Sequence, residues 1–101
     1  MKLKLSFAEF SVLLSLLQKI CIGQIPSKMQ AVVLHGALFR LFKKFYNKGI
    51  LTKRKYSITM ENDEAAAFFL FFNKYDLTGE QVFTINLVTQ INNSIHQKFP
   101  A

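Results

Sequence analysis

Seven of the thirteen Lys and Arg residues lie between Arg40 and Lys55: Arg40, Lys43, Lys44, Lys48, Lys53, Arg54 and Lys55. Arg40, Lys44 and Lys48 are spaced i, i+4, i+8, the spacing that lines one face of a helix. Such a cluster attracts polyanions, and Tyr46 and Tyr56 are interleaved with it as stacking candidates for a base. The other reactive residue types are scattered. Cys21 is the only cysteine, and no histidine is near it in sequence. His35 and His96 belong to no metal-binding spacing. Glu61, Asp63 and Glu64 sit where a helix should start, so they complement its dipole better than they describe a metal site. No nucleophile, base and orienting residue can be named together, and no glycine-rich phosphate loop is present. The sequence therefore predicts neither an enzyme nor a bound metal or cofactor.

The charge is uneven. No acidic residue occurs from Phe10 to Met60, while five of the six fall after it, and the net charge is +7. A basic centre selects acidic partners, nucleic acid or an anionic membrane surface, and it does not specify a fold. The membrane reading is the weakest, because no apolar face accompanies the lysines. No apolar run reaches the roughly 18 residues of a membrane span. Glu9, Lys19 and repeated Ser around the Val12–Leu17 run argue against a signal peptide. A cytoplasmic protein is expected.

The 101 residues, half of them apolar, suit a single domain. The chain reads as two similar halves, approximately 1–50 and 51–101. Each opens on a short alternation, Lys2-Leu3-Lys4-Leu5-Ser6 and Lys55-Tyr56-Ser57-Ile58-Thr59, which predicts a strand. Ser6 with Glu9 forms a capping box, and Phe7, Phe10, Leu13, Leu14, Leu17 and Ile20 form the stripe of a first helix closed by Gly23. Ser27 with Gln30 starts a second helix, over Lys28–Lys48, with Val33 or Leu34, Leu38, Leu41, Phe42 and Phe45 inward and Gly49 at its end. Thr59 or Asn62 caps a third helix, rich in phenylalanine. Phe68, Phe69, Phe71 and Phe72 cannot all face one direction; core packing explains them best, and at least one should point to a partner or a neighbouring subunit. Thr78 with Gln81 caps a fourth, with Val88, Ile91, Ile95 and Phe99 on one side.

The fold class expected is α+β and mostly α: four helices in two antiparallel pairs plus a minor two-stranded sheet, with a βαα-βαα pattern of internal repeat. Free strand edges and surplus apolar side chains on the last two helices favour a homodimer. Lys2, Lys4, Lys53 and Lys55 can also serve as edge protectors. The functional expectation is a small non-enzymatic binding module, self-associating, with its basic centre turned to an acidic partner. The alternative is a nucleic-acid-binding accessory protein that grips the phosphate backbone through the seven cations without reading bases.

Overall fold

The two alternating segments form β1 (Lys2–Ser6) and β2 (Lys55–Thr59), which pair antiparallel with Lys2 opposite Thr59 and Ser6 opposite Lys55. Leu3, Leu5, Tyr56 and Ile58 turn inward, and Lys2, Lys4 and Lys55 turn out to solvent. Around them lie α1 (Phe7–Gly23), α2 (Met29–Lys48), α3 (Asn62–Lys74) and α4 (Val82–Lys98). The structure is a computed structural model that describes residues 1–23 and 28–99. The fold is mostly helical α+β, and each strand is followed by helices.

Hydrogen bonds at the two ends fix the ladder. Met60 N–H donates to the Met1 carbonyl at 2.7 Å, and Phe7 N–H donates to that of Arg54 at 3.1 Å. Antiparallel pairing alternates, so Leu3–Ile58 and Leu5–Tyr56 exchange the inner bonds. Lys55, Ser57 and Thr59 then direct their backbone groups to the outer edge of β2.

The start of α1 behaves as its sequence requires. Ser6 N–H donates to Glu9 Oε1 at 2.9 Å, and Glu9 N–H donates to Ser6 Oγ at 3.2 Å. Its inner face is Phe10, Leu13, Leu16, Leu17, Ile20 and Cys21, all buried, whereas Phe7 is half exposed. α2 runs antiparallel to it. At one end Phe10 stacks on Phe45 (centroids 5.3 Å apart) and on Tyr56 (3.8 Å). At the other, His35 Nε2–H donates to the Cys21 carbonyl at 2.9 Å. Of the two residues offered for the α2 stripe, Leu34 packs on the core and Val33 is exposed. The Ser27 cap lies outside the described residues.

Gly49 ends α2 in the ordinary right-handed region (φ −74°, ψ −8°). Its value is clearance: a Cβ there would lie 3.3 Å from both Phe10 Cε1 and the Phe45 carbonyl oxygen.

Two expected caps are replaced. Thr59 is still paired with Lys2 in the sheet, so α3 starts later and its cap is Glu61 rather than Thr59 or Asn62. Glu64 reaches back, its Oε1 accepting from Glu61 N–H at 2.8 Å. Thr78 does not cap α4, because its N–H and hydroxyl both donate to Asp76 Oδ1, at 2.9 and 2.7 Å. That turn delays the helix to Val82, whose preceding residue Gln81 makes no side-chain cap.

The α3 phenylalanines are largely used inside the molecule. Phe68 and Phe72 are buried, Phe69 stacks on His96 of α4 and Phe71 on Tyr75. The residue that turns outward is Leu70. α2 packs on α3 as well as on α1, and α4 touches α1, so the halves interlock around one core.

Candidate functional site

The seven cations of the central cluster do not share one environment. α2 turns about 100° per residue, which sets Arg40, Lys44 and Lys48 along the side nearest α3. The first turn of α3 brings Asp63 and Glu64 to meet two of them. Arg40 Nη2 donates to Asp63 Oδ2 in an exposed pair. The guanidinium holds the Asp63 carboxyl below its ordinary range, and the carboxylate in turn raises the Arg40 pKa. Lys44 Nζ donates to Glu64 Oε1 at 2.6 Å and to the Thr59 carbonyl at 3.0 Å. Glu64 is 1% exposed, and a buried carboxylate needs a cation and hydrogen bonds to offset its lost hydration. Lys44 therefore ties α2 to the end of β2 and the start of α3. Lys43 lies over the Phe39 ring, 5.0 Å from its centroid.

Lys48, Lys53, Arg54 and Lys55 are exposed, and none of them pairs with a carboxylate among the described residues. The sheet adds Lys2 and Lys4. Their side chains share the outer face with Lys55, because residues two apart on a strand point the same way. Lys4 stands opposite Ser57, two residues from Lys55. The bend leading into β2 is fixed from below: Lys53 N–H donates to Tyr56 Oη at 2.9 Å, and that hydroxyl donates to the Leu51 carbonyl at 3.1 Å. Lys48 lines a cleft of about 600 Å³ beside the outer edge of β2, together with Asn47, Ser57, Thr59 and Glu61. Ser57 Oγ is shielded there and has no hydrogen-bond partner among the described residues.

The aromatic part of the expectation needs correcting. Tyr56 is buried and stacked on Phe10, so it offers no ring to a ligand. Tyr46 is 61% exposed, but it follows Lys44 by two residues and so lies about 200° around the helix from it. It leans on Phe42 instead (centroids 6.2 Å apart).

The sequence cluster thus breaks up. Arg40 and Lys44 join α3, Lys43 covers Phe39, and Lys55 shares the outer sheet face with Lys2 and Lys4, while Lys48, Lys53 and Arg54 are exposed and unpaired among the described residues. Sequence offers Lys2 and Lys4 as the polar side of an alternating strand and, with Lys53 and Lys55, as edge protectors. Pairing across fifty residues brings them to Lys55, and antiparallel pairing of two half-buried strands was the signal for it.

Other reactive groups are engaged or shielded. Burial pushes the Cys21 thiol up to about 11, so it is protonated at neutral pH. The His35 ring meets the Cys21 carbonyl. Among the described residues no three of His, Cys, Asp and Glu converge as a metal site, and no helix is long and apolar enough to cross a membrane. Compared with known protein families, with curated proteins and with solved structures, the chain matches none.

Proposed function

We propose that this chain is a small binding module, without catalytic chemistry of its own, that receives an acidic protein segment on its basic sheet surface. The observation supporting this is that Lys2, Lys4 and Lys55 share one sheet face and that they, with the exposed Lys48, Lys53 and Arg54, are not ion-paired among the described residues. Like charges held together repel one another, and an anionic partner relieves that repulsion. A cytoplasmic setting goes with this reading, since a free buried cysteine asks for no oxidising compartment. A nucleic-acid backbone offers the same charge. It is the second reading because Tyr56 is buried and Tyr46 leans on Phe42, on the side of α2 turned from Lys44 and Lys48.

The test is fluorescence anisotropy with a labelled polyglutamate peptide, a duplex DNA and a single-stranded RNA, each at low and at physiological salt. Binding of the peptide that weakens as salt rises is expected. Tighter binding of duplex DNA, with a steep logarithmic salt slope, would make phosphate the ligand. No binding of any of the three at low salt would reduce these lysines to a solvated face.

A further inference from the structure

At the opposite end of α2 from the basic surface, the antiparallel α2–α3 pair leaves an apolar cleft of about 600 Å³. Val33 (68% exposed), Val32 (52%) and Leu70 (51%) stand open to solvent along it, and Ala66 forms part of its floor. Gly36 sits in the middle. A glycine inside a helix costs about 1 kcal/mol relative to alanine, and here no packing contact accounts for it: beyond its own helix backbone, no atom of the described residues lies within 4 Å of where its Cβ would be. A small residue on an open helix face instead lets another backbone approach closely.

We infer that this cleft is the face through which two copies of the chain associate, α2 crossing α2 of the partner at Gly36. The charges at the rim select this occupant. They are one cation and one anion, Arg40 and Asp63, already paired with each other. A neutral rim meets its own copy across a two-fold axis without like-charge repulsion, whereas a strongly acidic or basic partner would find no net charge to answer it. Association through the strand edges is the rival geometry. It would bring Lys2, Lys4 and Lys55 of one copy toward those of the other, and like charges facing across a sheet are destabilising. The dimer contact is distinct from the basic surface and does not depend on what that surface binds.

Sedimentation equilibrium of the whole chain decides it. A species of twice 11.6 kDa is expected at micromolar concentration. Val33→Asp and Gly36→Leu should each weaken dimerisation by at least about tenfold, with helical circular dichroism unchanged because both positions are exposed. Lys4→Gln should leave the dimer intact. A monomeric wild type would overturn the inference. So would a dimer that survives both cleft variants; if that dimer were tightened by Lys4→Gln, through loss of like-charge repulsion, the contact would lie at the sheet.

Discussion

Lys44 and Lys55 are the same residue type, eleven positions apart in one basic run, and they have opposite surroundings. Lys44 meets a buried carboxylate and a strand carbonyl, and removing it would leave a charge stranded inside the protein. Lys55 stands on the outer face of a two-stranded sheet with other cations for neighbours. The difference comes from what the fold sets opposite each one. α3 presents acids to α2, and β1 presents more lysines to β2. A charge run in sequence is therefore a mixture of structural pairs and surface charge, and only the second kind is open to a ligand.

Substitutions can break this contrast, the largest effect first. Lys44→Met should cost about 2–4 kcal/mol of unfolding free energy in a denaturant titration, because Glu64 keeps only its bond from Glu61 N–H. Making Glu64→Met as well should recover part of that loss, since an apolar pair no longer buries an unpaired charge. Equal stabilities for the single and double variants would show that the ion pair is not what joins α2 to α3.

Tyr56→Phe has a smaller expected effect, about 1 kcal/mol, by removing the hydroxyl that holds Lys53 N–H and the Leu51 carbonyl. It should also slacken the bend that carries Lys53 and Arg54, so polyanion affinity should fall along with stability. A variant that loses stability and binds unchanged would separate the bend from the binding surface.

The smallest effect belongs to the exposed Arg40–Asp63 pair. Arg40→Ala should leave the unfolding midpoint nearly unchanged at neutral pH, as exposed ion pairs contribute little. The sign of its pH dependence is fixed. The Asp63 pKa is lowered in the folded state, so any stability from the pair is present above the ordinary carboxylate range and fades as pH falls through the lowered value. Added salt should remove the same small increment.

What could be read from the sequence was what depends on near neighbours. Both strands follow from their alternation, and the Ser6–Glu9 box from its spacing. The α2 stripe was legible apart from the choice between Val33 and Leu34, which depends on where α3 lies. The missed caps have competitors: Thr59 was taken by its pairing with Lys2 across the sheet, and Thr78 by Asp76 two residues before it. The site was less legible, because its membership depends on contacts between distant segments. Nothing near Lys44 in sequence announces Glu64, twenty residues on. Tyr56 looked like a stacking residue among cations, yet its place in the alternation, between Lys55 and Ser57, already turned it inward.

The most direct test of this division compares two variants that each remove two positive charges. Lys4→Gln with Lys55→Gln removes two of the three lysines of the sheet face, and Arg40→Gln with Lys43→Gln removes two cations of α2 that lie outside it. Titrated against a labelled polyglutamate peptide at low salt, the sheet variant should bind at least about tenfold more weakly than wild type, and the α2 variant should bind nearly as wild type does. Equal weakening of both would mean that the peptide senses only net charge, and the distinction between the two sets of cations would be wrong.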